Sequence, residues 1–412
     1  MRRETGAAAR PNGRRLYEID LLRFLAALAV LLFHVSYSPG QSEIDYAPVL
    51  GPVTRYGYLG VDLFFTISGL VVFMSLWGRS PRQFLASRIS RLYPAFWVAV
   101  TLTTLVVVVV GARGRPGVGP VQYLANLTMF PQVGNVPYVE GVYWTLWSEW
   151  RFYALLFAFA MLGITVRRTH AFMWGWLVAS LALEFVPPPG RIGSGIALIV
   201  QPFYCHYFIA GMALYLIHRS GATRNLVALL IACYANAVWQ GVRNADQRAL
   251  VDARLNGVVV AAIVTAIFVV MALAATGALR RWSRPGLAAV GLMTYPLYLI
   301  HPTLGFALLN ALSPAVNRWV LLVGVIAALC ALSWLISTQI EARVQPRMRT
   351  ALAGARKPAP QARPRRLTVE PFVPEPLTPE PLTPEPLDAE PDAAGPIVTA
   401  RRRLADDARG NP

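Results

Sequence analysis

Charged residues and cysteines are both scarce in this sequence. Only 14% of its 412 residues are charged, whereas 55% are hydrophobic. So little charge excludes an ordinary soluble globular protein and indicates a polytopic membrane protein. The three cysteines, Cys205, Cys233 and Cys330, show no paired spacing. We therefore expect no disulfide framework and no metal site.

Acidic residues are fewer than basic ones: 21 Asp and Glu stand against 38 Lys and Arg, for a formal net charge of +17. The basic excess lies in short polar gaps between apolar runs, where such residues orient a membrane protein. It therefore does not indicate a nucleic-acid partner. Residues 1–16 form a basic N-terminus, and no small-residue cleavage site follows the first apolar run, so no cleaved signal peptide is expected.

Ten apolar runs are long enough to cross about 30 Å of hydrocarbon, which takes roughly 20 residues. They predict an all-α, polytopic integral membrane protein whose residues 17–341 form a ten-helix transmembrane domain. The predicted spans are 17–38, 58–78, 91–112, 142–163, 171–187, 195–217, 225–242, 257–277, 286–310 and 319–340.

Arginine distribution predicts the orientation of these spans. Arginine-rich gaps alternate along the chain with gaps that hold fewer arginines. By the positive-inside rule, both termini then lie in the cytoplasm and the protein resides in the inner (cytoplasmic) membrane of the cell. Residues 350–412 include the repeat PEPLTPEPLTPEPL, which predicts a disordered, proline-rich cytoplasmic tail.

The first apolar run, EIDLLRFLAALAVLLFHVSY, contains Arg23 and His34. They are eleven residues apart, about three helical turns, so they fall on one helix face about 16 Å from each other. Ionisable residues inside a span usually face a protein interior or a watery cavity and mark a functional site. A packed histidine, hydrogen-bonded near a helix end, explains His34 equally well on this observation alone.

A second polar group lies in SRISRLYPAFW, where Arg88 and Arg91 stand three residues apart on one helix face. Two guanidinium groups at this spacing suit a pyrophosphate, because each can offer two hydrogen-bond donors to phosphate oxygens. Anchoring of the helix at the cytoplasmic border is the simpler explanation for a lone pair of arginines.

A third group, in VYWTLWSEWRFY, places Glu149 and Arg151 several residues inside the predicted fourth span. A belt of interfacial tryptophans does not explain a carboxylate and a guanidinium at this depth. Helix arithmetic puts Glu149 and His34 at comparable depth, so we expect them to meet. A carboxylate beside an imidazole can orient it and raise its basicity, as general-base catalysis requires.

Two further segments add polar side chains that could line a site. The segment GYLGVDLFFTISGL contains Asp62, Ser68 and three glycines that permit close helix approach, and MTYPLYLIHPTL contains His301. Pro296 and Pro302 are predicted to break or kink the latter helix and to free backbone carbonyls. Structural hydrogen bonding is an alternative role for Asp62 and His301.

In this order, the motifs resemble those of the membrane-bound acyltransferase-3 family over about residues 16–341. The resemblance rests on the spacing of Arg23 and His34, and on GYLGVDLFFTISGL, SRISRLYPAFW, YLANLTMFPQ followed by VYWTLWSEWRFY, and MTYPLYLIHP. It implies transfer of an acyl group, usually acetyl, from cytoplasmic acyl-CoA to a hydroxyl of a carbohydrate or glycosylated acceptor.

The resemblance also implies residue roles. The family's essential histidine corresponds to His34, its intramembrane arginine to Arg23, its cytoplasmic arginine pair to Arg88 and Arg91, and its glutamate to Glu149. His34 would either deprotonate the acceptor hydroxyl or carry the acyl group transiently. Arg23 would help to hold the donor or its developing negative charge.

A transporter or flippase is the alternative from another functional class. In that case Arg23, His34, Glu149 and His301 would form a proton or substrate path. Many transporters contain two halves with matching broken helices, and the sequence shows no such duplication. Turnover in detergent, where no gradient exists, separates the two classes.

Overall fold

Helices account for all of the regular secondary structure in the described part of the chain. The computed structural model describes residues 16–37, 48–111, 117–186, 188–245, 255–313 and 315–353, and these ranges contain no β-strand. The all-α prediction is therefore confirmed. Almost all of the predicted tail lies outside the described residues, and its first residues, 350–353, continue the last helix.

The α-helices of these ranges are numbered in chain order. They are α1 (Tyr17–Tyr37), α2 (Gly51–Thr54), α3 (Gly60–Leu76), α4 (Pro81–Val106), α5 (Pro120–Leu127), α6 (Trp144–Met161), α7 (Val166–Phe185), α8 (Gly190–Val200), α9 (Cys205–Ser220), α10 (Arg224–Ala245), α11 (Gly257–Thr276), α12 (Leu287–Leu312), α13 (Arg318–Leu335) and α14 (Ala342–Ala353). Two π-helical segments, Val107–Gly111 and Ile336–Glu341, extend α4 and α13.

Eight helical segments of the described chain are long and apolar enough to cross a membrane. This confirms a multi-pass membrane protein. The predicted spans 142–163 and 171–187 correspond to α6 and α7, which are helical but do not belong to these eight. Their polar residues lower their hydropathy, so the prediction that they span the bilayer stays a prediction.

The predicted span 195–217 is divided in the structure into α8 and α9. Gln201, between them, has the left-handed backbone angles φ 56° and ψ 59°. Pro202 follows it and has no backbone N–H to continue the hydrogen-bond ladder, and proline disfavours helical angles in the preceding residue. The carbonyl of Pro202 instead accepts a hydrogen bond from Gln240 Nε2, at 3.1 Å.

Glycines bring α3 very close to its neighbours α1 and α9. A Cβ on Gly60 would lie 2.6 Å from the carbonyl oxygen of Ala26 in α1. A Cβ on Gly69 would overlap the carbonyl oxygen of Phe208 in α9. Small residues at helix crossings permit such backbone contact in membrane proteins. The close approach predicted from the glycines of this segment is thus present, and it holds α3 between α1 and α9.

Gly69→Ala should therefore destabilise the protein. The added methyl group meets backbone atoms that cannot rotate away, so the helices must separate at a loss of about 1–3 kcal/mol in unfolding free energy. Thermal unfolding of the purified protein in detergent would show a lower Tm. Gly324→Ala is the control: it lies within α13, and a Cβ there meets nothing within 4 Å. An equal Tm for the two variants would contradict close packing at Gly69.

The helix α12 runs uninterrupted from Leu287 to Leu312 although Pro296 and Pro302 lie inside it. The predicted break is therefore wrong. Each proline removes the N–H that would bond the carbonyl four residues earlier, and another donor takes its place. Ser337 Oγ donates to Leu292 O at 2.8 Å, and His301 Nδ1 bonds Tyr298 O at 2.9 Å. Because side chains satisfy the freed carbonyls, the helix continues.

Candidate active site

His34 lies near the C-terminal end of α1 and contacts His301 of α12. Nδ1 of His34 is 3.1 Å from Nε2 of His301 and 2.8 Å from the carbonyl oxygen of Val30. The two imidazole rings meet at 61°, with centroids 5.0 Å apart. His301 is fully buried, whereas His34 is half-buried and lines a cavity.

The hydrogen bonds of this pair determine where the protons of two neutral imidazoles lie. His301 Nδ1 faces the carbonyls of Leu297 and Tyr298, which only accept hydrogen bonds, so this nitrogen carries the proton. Nε2 of His301 is then an acceptor, and it receives the N–H of His34 Nδ1. The lone pair of His34 therefore lies on Nε2. No hydrogen bond within the described chain occupies that atom.

His34 lines what we call the histidine cavity. Its walls include Phe33, Asp62, Trp144 and Tyr204, and it encloses about 490 Å³ including its opening. Asp62, predicted from sequence as a site-lining residue, thus lines the same cavity as His34. The cavity presents aromatic rings and a carboxylate around the imidazole, a setting with both apolar and hydrogen-bonding surface.

Glu149 contacts a different partner from the one predicted. Its Oε1 accepts a hydrogen bond from Ser68 Oγ at 3.0 Å, and it lines a second cavity that His34 does not line. The expectation that this carboxylate orients His34 is therefore not met, since His301 occupies that position. Helix arithmetic places two side chains at one depth, but it does not set the direction in which each points around its helix axis.

The second cavity, here called the cationic cavity, is lined by Arg23, Arg88 and Arg91 together with Ser68 and Glu149. It encloses about 760 Å³ including its opening. The three arginines come from two helices, α1 and α4. One carboxylate among three guanidinium groups leaves the lining with a net positive charge. The sequence-predicted arginines thus converge on one cavity, and it suits an anion.

Arg88 is the least solvated of these three side chains. It is 7% exposed, and its Nε is buried with no hydrogen-bond partner in the structure. Nη2 makes one long contact of 3.4 Å with Ser87 Oγ. Within the described residues no ion pair joins Arg23, Arg88 or Arg91 to a carboxylate. The Glu149 carboxylate is the one acidic group among three guanidinium groups in this lining, so an anion in the cavity would stabilise the buried Arg88 further.

Val61 and Tyr298 separate the two cavities, because each residue lines both. The Tyr298 hydroxyl accepts a hydrogen bond from Thr145 Oγ1 at 3.1 Å, and its ring packs edge-on against Phe64 with centroids 5.4 Å apart. Tyr298 also lies one helical turn before His301 in α12. The residue that separates the two cavities and the histidine that bonds His34 therefore lie on the same turn of α12.

Arg151, the remaining sequence-predicted residue, lines neither cavity. Its Nη1 donates to Leu198 O at 2.8 Å and its Nε to Trp147 O at 3.4 Å. The guanidinium group also lies over the Trp147 ring, 5.6 Å from the centroid. These contacts join α6 to α8, so Arg151 satisfies backbone carbonyls and is not placed at the site.

Sequence reasoning missed Glu140, which lies in the segment before α6. Glu140 is 1% exposed, and its Oε2 accepts a hydrogen bond from the backbone N–H of Thr303 at 3.0 Å. Thr303 follows Pro302, so this carboxylate holds the turn of α12 that carries His301. A lone glutamate after a valine and a tyrosine has no motif that would have singled it out.

In the described ranges of the chain, no cluster of three or more His, Cys, Asp or Glu side chains could hold a metal ion. The charged side chains instead collect at the cationic cavity, and the imidazoles of His34 and His301 bond to each other.

Comparison with known proteins identifies the family. The family model described as "Acyltransferase domain" (acyltransferase-3) matches residues 16–338. A protein of Komagataeibacter xylinus named "Putative membrane-bound transacylase BcsY" is 31% identical over 166 residues, which are 37% of this chain and 39% of that protein. "Acyltransferase MdmB" of Streptomyces mycarofaciens is 25% identical over 312 residues, 71% of this chain and 79% of that protein.

No solved structure matches the chain. The family model nevertheless covers more than half of the sequence, including α1, α4, α6 and α12, which contribute both the histidine pair and the cationic cavity. Together with the multi-pass helical architecture, this shows that the chain is a membrane acyltransferase belonging to the acyltransferase-3 family.

Proposed function

We propose that the protein transfers an acyl group, acetyl in the first instance, from acyl-CoA to a hydroxyl group of a carbohydrate or glycosylated acceptor. The observation that carries the proposal is the position of His34. Its Nδ1 is held by His301, its Nε2 is left with a lone pair, and it lines a cavity that adjoins a cationic one.

The cationic cavity is assigned to the donor. Coenzyme A carries a pyrophosphate, and planar guanidinium groups bind phosphate oxygens through paired, charge-assisted hydrogen bonds. Arg88 and Arg91 lie on one face of α4 as the sequence predicted, and Arg23 faces them from α1. The pantetheine arm would extend past Val61 and Tyr298, so that the thioester reaches His34. Arg23 would hold the donor close to this passage.

The transfer step uses the free lone pair of His34. Nε2 removes the proton of an acceptor hydroxyl, and the hydroxyl oxygen attacks the thioester carbonyl carbon. A carbon–oxygen bond forms while the carbon–sulfur bond breaks. Coenzyme A leaves as a thiol after His34 returns the proton to its sulfur. The Val30 carbonyl and His301 both accept from Nδ1–H of His34, so together they keep the imidazole in the required tautomer, and His301 also fixes the orientation of the ring.

The orientation of the chain follows from the arginine distribution. With both termini in the cytoplasm of the cell, the N-terminal end of α1 and the N-terminal end of α4 lie on that side, and so does the cationic cavity that they line. Acyl-CoA would enter from the cytoplasm. His34, eleven residues further along α1, would meet the acceptor from the opposite direction.

Arg88→Gln tests the donor assignment. Acetyl-CoA and S-acetylpantetheine serve as donors for the purified protein in detergent, and the free thiol released is measured. Loss of one charge-assisted contact of about 1.5–3 kcal/mol should raise the KM for acetyl-CoA about tenfold or more. S-acetylpantetheine has no pyrophosphate, so its KM should not change.

The control is Arg79→Gln, because Arg79 is exposed and lines neither cavity. This substitution removes the same charge close to the same helix start and should leave both KM values unchanged. Equal KM values for acetyl-CoA in Arg88→Gln and the unmodified protein would show that the pyrophosphate is bound elsewhere.

A further inference from the structure

A third cavity adjoins the histidine cavity on the side away from the arginines. We call it the amide pocket, since Gln240 and Asn244 of α10 line it together with His206 of α9. It shares Tyr58, Asp62 and Tyr204 with the histidine cavity and no residue with the cationic cavity. The three cavities therefore lie in series, with His34 in the middle one.

A chain of hydrogen bonds orients the polar side chains of this pocket. Gln240 Nε2 donates to Pro202 O at 3.1 Å and to Asn236 Oδ1 at 3.3 Å. Because the oxygen of Asn236 faces Gln240, its amide nitrogen faces His206 and donates to Nδ1 at 3.2 Å. His206 Nδ1 is then an acceptor, so in the neutral ring the proton of His206 lies on Nε2.

Two atoms at the ends of this chain are buried without a partner. They are Nε2 of His206 and Oε1 of Gln240, and these residues are 1% and 3% exposed. The first is an N–H donor and the second an amide acceptor. An unpaired buried polar atom is unfavourable, and native proteins rarely retain one without a function or a bound molecule. Both atoms are therefore candidates for hydrogen bonds to a bound molecule.

A hydroxyl group has the acceptor and the donor that these two atoms lack, because it accepts from an N–H such as His206 Nε2–H and donates to an amide oxygen such as Gln240 Oε1. Asp62 lines both the amide pocket and the histidine cavity, so a carboxylate stands at their junction. A ligand with several hydroxyl groups can therefore place one in the amide pocket and another in the histidine cavity. Saccharides carry hydroxyl groups in this way.

We propose that the amide pocket is the acceptor subsite, in which His206 and Gln240 bind one hydroxyl of a saccharide while a neighbouring hydroxyl faces His34. This inference rests on the proposed function and adds the location of the acceptor. Donor and acceptor then approach His34 from opposite cavities, and neither has to leave before the other enters.

Gln240→Met tests the subsite, because methionine keeps a similar length and removes the amide oxygen. The full-length protein in detergent receives acetyl-CoA and a panel of methyl glycosides, and ester formation is followed by mass spectrometry. Loss of the hydrogen bond to the hydroxyl should raise the KM for the accepted glycoside about tenfold. The KM for acetyl-CoA should change much less, since Gln240 does not line the cationic cavity.

Gln122→Met is the matched control. Gln122 Nε2 also donates to a proline carbonyl, Pro137 O at 3.3 Å, but Gln122 lines none of the three cavities. Asn244→Leu is a second test that breaks no hydrogen bond described for the pocket, so it covers the case in which Gln240→Met does not fold. It should also raise the KM for the glycoside.

The outcomes separate the subsite from the proposed function. Unchanged glycoside KM values in Gln240→Met and Asn244→Leu would overturn the subsite and leave the pocket filled by water only. Thioester consumption without transfer to any glycoside would overturn a saccharide acceptor, while the donor chemistry at His34 would stand. Absence of any thioester consumption by the unmodified protein would instead overturn the proposed function.

Discussion

His34→Ala should reduce acyl transfer by about 10²- to 10⁴-fold, the usual contribution of a positioned general base. The imidazole supplies the only lone pair that the hydrogen bonds of the histidine pair leave available, on Nε2. Removing it leaves the cationic cavity and the amide pocket in place, so the KM values for acetyl-CoA and for the accepted glycoside should change little. The loss should appear in kcat, measured as thiol release and ester formation.

His218→Ala is the control for this substitution. Nδ1 of His218 also bonds a backbone carbonyl, Ala275 O at 2.8 Å, yet His218 lines neither the histidine nor the cationic cavity. Both variants lose one imidazole near a helix end, and both should accumulate in the membrane. Transfer at the normal rate by His34→Ala would rule out the proposed mechanism.

His301→Phe should lower kcat about 10²-fold although His301 does not line the histidine cavity. Phenylalanine fills the same buried space but offers no acceptor to His34 Nδ1. Nδ1–H of His34 then bonds the Val30 carbonyl alone, so the ring is oriented less firmly and its imidazolium form is less stabilised; loss of the partner that orients a catalytic histidine has effects of this order or larger. Initial rates of thiol release with acetyl-CoA and with S-acetylpantetheine would measure the change in kcat.

Two further variants show whether His301 acts through His34. In His301→Gln the side-chain oxygen can accept from His34 Nδ1 near the place of the lost Nε2, so this variant should recover part of the activity that His301→Phe loses. The double variant His34→Ala/His301→Phe should be no slower than His34→Ala alone, because residues that act as a unit are not additive. Additive losses would show that His301 has a separate, structural role.

The fold was predictable from the sequence to the extent that it depends on local composition. The positions of the apolar runs match helices, from α1 at Tyr17–Tyr37 to α13 at Arg318–Leu335. The differences concern helix continuity at prolines, since Gly190–Ser220 remains long and apolar enough to cross a membrane. Pro202 divides one predicted span into α8 and α9, whereas Pro296 and Pro302 do not break α12. The difference depends on whether side chains elsewhere in the fold satisfy the freed carbonyls, which local sequence does not reveal.

The sequence indicated which residues belong to the candidate site, but not which of their side chains contact each other. Arg23, Arg88 and Arg91 line one cavity together with Glu149, which the sequence had placed beside His34. His34 bonds His301 instead, a residue that the sequence offered as a lining residue or as a structural hydrogen-bonding partner. The argument from helix depth left the direction of each side chain around its helix undetermined.

By itself, the sequence determined that this protein is an all-helical membrane acyltransferase. It also determined which ionisable residues lie within its helices. The length of an apolar run and the distribution of positive charge between the runs are properties of the local sequence, so they can be assessed without the tertiary structure. Only the tertiary structure decided that His301 contacts His34, that Val61 and Tyr298 lie between the histidine cavity and the cationic cavity, and that Gln240 and His206 share a pocket. Those contacts join helices far apart in sequence, and the rotation of each helix, set by packing at residues such as Gly69, decides which side chains meet.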